Sequence, residues 1–378
     1  MLLGSAREFS TLEKIGAGAF GTVFRARHRA TGAEVALKSI RIRDLRELPI
    51  NALRELNALR RVNHPSVMPL LSVHTHGANI VLVMPFAPYA LAAVLAKRQE
   101  PLPEYHACTL SRMLLCGLCA IHAEGLLHRD IKPHNLLLSE SGVLLIADFG
   151  QARLQPAANA SLSHAVATRW YRAPELLLGS RRYSCAVDIW AAGCVIAQLH
   201  CLSPLLPGDS DIDQLFCVVQ FLGSPSTDNW PTVQTMPDYS KIELPSGVPP
   251  VSLCTLVPTA SDQAISLLES MLVYDGSRRI SARRALGHTW MAMAADAVPI
   301  AELIAPPALA PVAAPSASTA HSQAATAGSI QSWAAGPITF PSMSCCHTAT
   351  LSNGTDAILQ GAERAHDLAE RLSLGLQQ

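Results

Sequence analysis

Two short apolar runs near the middle of the chain predict a hairpin of buried strands. The runs cover residues 136–138 and 143–146, and the four residues between them, SESG, have the composition of a turn. Asn135 precedes the first run and Asp148 follows the second. Because antiparallel strands bring these two ends together, we expect an amide oxygen and a carboxylate to converge there. Such a pair of ligands suits a hard cation such as Mg²⁺.

The N-terminal part of the chain has the pattern of a small sheet. Residues 22–27 alternate in a strand-like way, and residues 35–38 and 80–86 are apolar runs of strand length. Three glycines with the spacing GxGxxG, at residues 16–21, come directly before the alternating run. Because a strand rather than a helix follows, the glycines are predicted to cap a hairpin.

Two segments carry helical patterns. Residues 49–60, PINALRELNALR, place their apolar side chains on one stripe, and Glu55 lies beside that stripe. Residues 188–199, DIWAAGCVIAQL, are apolar nearly all round. The first pattern predicts an amphipathic helix and the second a buried central helix.

The composition changes near residue 298. Residues 298–344 are rich in Ala, Pro and Ser and carry few charges, which is typical of a disordered tail. Residues 354–374 regain apolar positions at spacings of three and four, flanked by charged side chains. Both a docking helix and a transient tail helix fit that pattern. We expect the chain from Val298 onward to be dispensable for catalysis, because it lacks the apolar density of a core.

Composition restricts the class of protein. A chain of 378 residues can form two lobes and a remainder, and its 29 basic and 29 acidic side chains give no net charge, which argues against nucleic-acid binding. Ten cysteines without paired spacing predict reduced thiols and an intracellular location, in the cytoplasm, the nucleus or both. Neither a signal sequence nor an unbroken apolar stretch of membrane-span length is seen, so no membrane association is expected.

The polar residues around the predicted hairpin carry a specific motif. Residues 128–150 include HRDIKPHN followed by DFG, which resembles the catalytic loop and metal-binding segment of eukaryotic protein kinases. The resemblance implies that Asp130 accepts or orients the proton of the substrate hydroxyl and that Lys132 neutralises the transferring phosphate. It also implies that Asn135 and Asp148 hold Mg²⁺.

Other segments resemble the nucleotide site of the same family. Lys38 resembles the strand lysine that binds the phosphates of ATP, and Glu55 resembles the helix glutamate that pairs with that lysine. We expect this pair to form only in the active state. Met84 would lie behind the adenine, whose edge would pair with the carbonyl of Pro85 and the N–H of Ala87. The resemblance further assigns Ile15, Gly16, Gly18, Gly21, Val23, Ala36 and Leu137 to the nucleotide site.

The substrate side shows a narrower resemblance. WYRAPE at residues 170–175 resembles the kinase substrate pocket, and Thr168 the threonine that bonds Asp130. PINALRE resembles the cyclin-contacting helix of cyclin-dependent kinases, and ATRWYRAPELL with MPDYSKI most resembles their cell cycle-related kinase branch. The resemblance implies protein substrates with Ser or Thr followed by Pro, and a cyclin or cyclin-like activator. Ala90 departs from the acid common in related kinases, which puts one ribose contact in doubt.

The loop after DFG is expected to carry an activating phosphate. By the same resemblance the phosphorylated residue is Ser163, modified by an upstream kinase, and three arginines converge on it. These are Arg54, Arg129 and Arg153. Ser161 is the alternative residue for this modification.

The patterns and motifs together predict an α+β, bilobal protein-kinase fold. A small antiparallel sheet with one regulatory helix is assigned to residues 9–86, and a larger, mainly helical lobe to residues 87–293, with the activation loop at 148–175. Residues 294–378 are assigned to a disordered tail with a helix at 354–374. One alternative is a mitogen-activated kinase, although the loop has SLS in place of Thr-x-Tyr. The other is a silent scaffold, although every catalytic motif residue is present.

Overall fold

The computed structural model describes residues 8–18, 21–42, 50–155 and 161–304. They form a sheet lobe and a helical lobe, so the predicted α+β, two-lobed fold is confirmed. The strands are β1 (Phe9–Gly18), β2 (Gly21–His28), β3 (Glu34–Arg41), β4 (Ser72–His76), β5 (Asn79–Pro85), β6 (Tyr89–Ala90), β7 (Leu126–Leu127), β8 (Leu136–Leu138), β9 (Leu144–Ile146) and β10 (Arg153–Leu154). The helices are α1 (Ile50–Arg61), α2 (Leu91–Lys97), α3 (Glu104–Ala123), α4 (Pro174–Leu177), α5 (Ala186–Cys201), α6 (Asp211–Leu222), α7 (Leu253–Leu256), α8 (Asp262–Met271), α9 (Ala282–Ala285) and α10 (Ile300–Ile304).

The small lobe is an antiparallel sheet with the strand order β1-β2-β3-β5-β4, accompanied by α1. Helix α1 forms because Ala52, Leu56 and Leu59 recur on one face, and all three are buried. The same helix lies against the short 3₁₀ turn Phe149–Gln151 of the large lobe. Its position therefore couples the sheet to the predicted metal-binding segment.

The large lobe is built around two apolar helices. Every residue of α5 except Cys201 is buried, which confirms the predicted central helix. Helix α3 has the length and hydropathy of a membrane span, but 67% of that apolar window is buried inside the protein. Among the described helices no other meets that test. Packing of α3 against α5 forms the core on which the catalytic loop rests.

The central hairpin has the predicted form. Strands β8 and β9 pair antiparallel with Leu136 opposite Ile146, and both side chains are fully buried. The turn contains Gly142 at a φ of +79°, a left-handed conformation that favours glycine. A Cβ atom at Gly142 would collide with the carbonyl of Val298, so the close approach of a later segment also requires glycine here.

That later segment packs on the large lobe beyond residue 293, where the sequence assigned the start of a disordered tail. The side chains of Val298 and Leu303 are completely buried, and Val298 donates its N–H to Gly142 at 3.2 Å. Arg98 donates to the carbonyl of Leu303 at 2.9 Å. The Ala- and Pro-rich composition concealed these two apolar contacts, and the packed chain continues to residue 304. The predicted helix at 354–374 lies outside the described residues.

The burial of Leu303 gives a stability prediction. Leu303→Ala should lower the free energy of unfolding by about 2–5 kcal/mol, because a fully buried leucine is removed. Ile304→Ala is the matched control, since Ile304 is 48% exposed. Thermal denaturation of both variants measures the difference, and a chain ending at residue 297 should melt below one ending at 304. Equal melting temperatures would show that this segment does not stabilise the lobe.

Candidate active site

A buried carboxylate fixes the predicted catalytic loop. Asp188, at the start of α5, accepts hydrogen bonds from the backbone N–H groups of His128 at 2.9 Å and Arg129 at 2.7 Å. His122 lies 2.9 Å from the same carboxylate. Burial alone would raise the pKa of Asp188, but the hydrogen bond and charge of His122 hold it below the ordinary value. The loop is thus anchored by an ionised group in the core.

Three residues of the site have left-handed backbones although none is glycine. The φ angles are +67° at Arg129, +60° at Asp148 and +65° at Ala167. Such conformations are disfavoured for residues with a Cβ atom and persist where the surroundings enforce them. Of the four described non-glycine residues with positive φ, only Leu202 lies elsewhere. The strained backbone conformations thus lie at residues of the active site, where they set the orientation of the catalytic side chains.

Asp130 is surrounded by donors from the predicted catalytic residues. Asn135 donates its amide N–H to the Asp130 carbonyl at 2.8 Å and to Oδ2 at 2.9 Å. Thr168 donates its hydroxyl to Oδ1 at 3.1 Å, and Lys132 Nζ lies 2.9 Å from Oδ2. Lys132 also donates to the Thr168 hydroxyl at 2.7 Å. The structure therefore brings Lys132, Asn135 and Thr168 together around the carboxylate of Asp130.

A second charged cluster joins the two lobes. Lys38 Nζ lies 2.7 Å from Glu55 and 2.8 Å from Asp148. Burial would lower the pKa of Lys38, but the two carboxylates raise it above the ordinary value. Burial would raise the pKa of Asp148, but the charge and hydrogen bond of Lys38 lower it below the ordinary value. The pKa of Glu55 is raised, because the effect of burial outweighs the charge of Lys38. The predicted lysine–glutamate pair is thus closed in this structure, and its dependence on the active state stays a prediction.

The second cluster, together with Asn135 of the first, lines a cleft of about 260 Å³ between the lobes. Gly21, at φ +150°, must be glycine because a Cβ atom would collide with the carbonyl of Ser39. Gly18 ends β1 at the hairpin. The remaining residues predicted for the nucleotide site all line the cleft: Ile15, Gly16, Gly21, Val23, Ala36, Lys38, Met84, Pro85, Ala87 and Leu137.

Sequence reasoning missed several cleft residues. Met68, Phe86 and His134 also line it. His134 lies inside the quoted motif, between the predicted lysine and asparagine, so its place could have been read from the sequence. Met68 comes from the connection between α1 and β4 and carries no pattern that would have identified it.

The three predicted phosphate-binding arginines lie close enough to affect one another. Burial and the positive charges of Arg153 and Arg129 lower the pKa of Arg54, whose buried Nε atom has no hydrogen-bond partner. No carboxylate among the described residues forms an ion pair with any of the three. Tyr183 accepts a bond from Arg129 at 2.9 Å and donates to the carbonyl of Ser163 at 2.5 Å. The exposed Ser163 is thereby tied to this cationic cluster.

The segment beside Asp130 is held by Arg172. Its guanidinium donates to the carbonyls of Val166 at 2.9 Å and Ala167 at 3.0 Å. Arg172 is also 2.8 Å from Asp211, at the start of α6. The sequence assigned this region to the substrate pocket but did not single out Arg172. The two carbonyls that precede Thr168 therefore each accept a hydrogen bond from within the protein.

Comparison with known proteins agrees with this site. The protein kinase domain model matches residues 9–291. The chain is 46% identical to cyclin-dependent kinase 20 of Danio rerio over 286 residues, which cover 75% of this chain and 83% of the relative. It is 43% identical to cyclin-dependent kinase 20 of Homo sapiens over the same length, covering 82% of that protein. Cyclin-dependent kinase D-1 of Arabidopsis thaliana is 40% identical over 283 residues, 75% of this chain and 70% of the relative.

These relatives decide between the alternatives that the sequence left open. They confirm the predicted resemblance to cyclin-dependent kinases and support an enzyme rather than a silent scaffold or a mitogen-activated kinase. The residues matched by the family model include both charged clusters and the lining of the cleft. This chain belongs to the protein kinase family and is a serine/threonine protein kinase of the cyclin-dependent type.

Proposed function

We propose that this kinase transfers the γ-phosphoryl group of ATP, with Mg²⁺, to a Ser or Thr hydroxyl held by Asp130. The single observation that carries the proposal is the set of donors around Asp130, which fixes one carboxylate beside Asn135, a residue of the cleft. A positioned carboxylate can orient the hydroxyl and accept its proton as the new bond forms. Lys132 and Lys38 supply positive charge for the phosphate oxygens.

The residues proposed for Mg²⁺ fit a hard cation. Asn135 uses its amide nitrogen to bond Asp130, so its amide oxygen is left as an acceptor. Asp148 is held ionised by Lys38 and by the backbone N–H of Gly150, and its carboxylate has further lone pairs that can bind a cation. Carboxylate and amide oxygens are ligands that Mg²⁺ accepts. When bound, the ion would neutralise charge on the phosphates, and these two side chains would hold it.

Replacing either acid tests the catalytic proposal. Asp130→Asn and Asp148→Asn should each lower kcat by about 10²–10⁴-fold, because one loses the proton acceptor and the other a ligand charge. Peptide phosphorylation and thermal denaturation should be measured together, with the exposed Asp228→Asn as control. An Asp148→Asn protein with near-normal turnover would contradict the assignment. A large fall in melting temperature alone would instead indicate a structural role.

We propose that the substrate carries proline after the target residue. Thr168 bonds Asp130, so the adjacent carbonyls of Val166 and Ala167 lie beside the position of the substrate. Arg172 already donates to both carbonyls, so a substrate backbone N–H would have to share one of these oxygens with the guanidinium. An N–H buried without a partner costs about 1–3 kcal/mol, whereas proline has no N–H to leave unpaired.

The preference should depend on Arg172. Peptides with Ser-Pro should exceed matched Ser-Ala peptides in kcat/KM by roughly tenfold, and Arg172→Lys should reduce that ratio because lysine cannot bond both carbonyls. Arg169→Lys is the control, since Arg169 also pairs with Asp211 but does not bond these carbonyls. Equal rates on both peptides in the unaltered enzyme would exclude the proposal.

We further propose that phosphate on Ser163, added by an upstream kinase, activates the enzyme. The support is the cationic cluster of Arg54, Arg129 and Arg153, which lacks a described counter-charge, and the link through Tyr183. Phosphate would add about −1.5 to −2 charges at this point. Each charge-assisted hydrogen bond to an arginine contributes about 1.5–3 kcal/mol, so two bonds would order the loop.

Substitutions distinguish Ser163 from Ser161 as the site of activating phosphorylation. Ser163→Ala should lower activity by about tenfold or more, because the cations then keep repelling one another, whereas Ser161→Ala should have little effect. Mass spectrometry of active protein should find the phosphate on Ser163. Active enzyme without phosphate at that residue, or full activity of Ser163→Ala, would count against the mechanism.

A cyclin-type activator is proposed to bind at α1. The names of the relatives describe cyclin-dependent kinases, and Ile50 at the start of α1 is 57% exposed. Because α1 carries Glu55, a partner that grips this helix would hold the Lys38 pair closed. Ile50→Asp should abolish stimulation by a panel of purified cyclins, and Ile304→Asp should not. Stimulation that survives in Ile50→Asp, or no stimulation by any cyclin, would oppose this site.

The cellular location is proposed to be intracellular, in the cytoplasm, the nucleus or both. Its support is that all eight cysteines in the described part of the chain are free thiols. The expectation of no nucleic-acid or membrane partner stays a prediction from net charge and composition.

A further inference from the structure

The hydroxyl of Tyr183 lies between the catalytic loop and the activation loop. Tyr183 is buried and comes shortly before α5 in the chain. Its oxygen accepts a hydrogen bond from the guanidinium of Arg129 at 2.9 Å and donates one to the carbonyl of Ser163 at 2.5 Å. One phenol group therefore joins two segments that are distant in sequence.

Both of these segments lead to the carboxylate of Asp130. Arg129 immediately precedes Asp130, and Ser163 is followed in the same loop by Thr168, whose hydroxyl bonds Asp130 at 3.1 Å. Arg129 also donates its Nε–H to the carbonyl of Gln151 at 2.8 Å, which ties the residue after the DFG motif to the same guanidinium. Loss of the phenol contact would therefore loosen both segments that hold Asp130 in place.

The activation loop is docked beside Tyr183 by atoms of the chain itself. Leu162 is buried, whereas Ser161 and Ser163 on either side of it are exposed. Leu162 also donates its backbone N–H to the carbonyl of Arg181 at 2.8 Å. The donors and acceptors in these contacts are backbone groups and a phenol, so none of the contacts requires a phosphate.

The chemistry of Tyr183 suits a permanent link between the loops. Burial raises the pKa of Tyr183, although the charge of Arg129 acts in the opposite direction, so the hydroxyl keeps the proton that it donates. Phenylalanine would fill the same space without accepting from Arg129 or donating to Ser163. The guanidinium has further N–H groups beyond the two already used, so a phosphate on Ser163 can bind without displacing the phenol.

We propose that Tyr183 is a positioning residue whose hydroxyl holds the activation loop against Arg129 without a phosphate and so gives the kinase a basal activity. The inference rests on the proposed function, in which Asp130 receives the substrate and phosphate on Ser163 activates the enzyme. Once the phosphate is present, its own bonds to the arginines hold the loop, and loss of the phenol hydroxyl has less effect. The contribution of Tyr183 is therefore largest in protein without phosphate.

Tyr183→Phe tests the proposal in the full chain. Peptide phosphorylation is measured with and without phosphatase treatment, and mass spectrometry verifies the phosphorylation state. In phosphatase-treated protein the variant should lose about tenfold in kcat/KM, whereas in phosphorylated protein it should lose about threefold or less. Tyr274→Phe is the matched control, because Tyr274 is also buried and donates to one carbonyl, that of Gly223 at 2.7 Å, in neither loop. The control should leave both rates unchanged.

Hydrogen exchange gives a readout that does not depend on turnover. In phosphatase-treated protein the Leu162 N–H should exchange slowly, and in Tyr183→Phe it should exchange about tenfold faster. A role in folding alone would instead lower the melting temperature and reduce the activity of both forms by the same factor.

Three results would overturn the proposal. They are full activity of phosphatase-treated Tyr183→Phe, an equal loss in the two forms, and fast exchange of Leu162 in the unaltered protein after phosphatase treatment. The exchange measurement on unaltered protein keeps the test valid even if Tyr183→Phe fails to fold. Each of these results leaves the unaltered, phosphorylated enzyme active, whereas failure of the proposed function would appear as no phosphoryl transfer by that enzyme.

Discussion

The geometry of the active site depends on the buried carboxylate of Asp188. It receives two backbone N–H groups and faces His122, so the cost of burying its charge is offset inside the lobe. Bonds of this charged type contribute about 1.5–3 kcal/mol each. They hold Arg129 in a left-handed conformation that it would otherwise avoid. The orientation of Asp130, the next residue, follows from that backbone.

The charge balance of the cleft is a second constraint. Two lysines face three carboxylates in the clusters around Asp130 and Asp148, which leaves one excess negative charge. In a partly buried site such an excess is unfavourable unless a cation or a further donor offsets it. The proposed Mg²⁺ would offset this excess and would also reduce repulsion between Asp148 and the phosphates of the nucleotide.

Much of this site was predictable because the chemistry is local in sequence. The hairpin places Asn135 and Asp148 at one end through strand pairing alone, and the helical stripe positions Glu55. The left-handed backbone of Ala167 was not predictable, since no residue type signals it. Nor was the packing of Val298 and Leu303, because two isolated apolar residues do not alter the average composition of a tail. Contacts between segments distant in sequence determine both the backbone conformation of Ala167 and the packing of Val298 and Leu303.

The contact between Gly142 and Val298 changes how the central hairpin turn can vary. Surface turns generally tolerate insertions, and epitope tags are commonly placed in them. This turn is instead covered by the C-terminal segment, whose Val298 bonds the Gly142 backbone. A longer turn would displace that segment and, through β8 and β9, disturb Asn135 and Asp148, the two residues proposed to hold Mg²⁺. The exposed loop tip at Gly247, where a Cβ atom meets no neighbour, is a better insertion point.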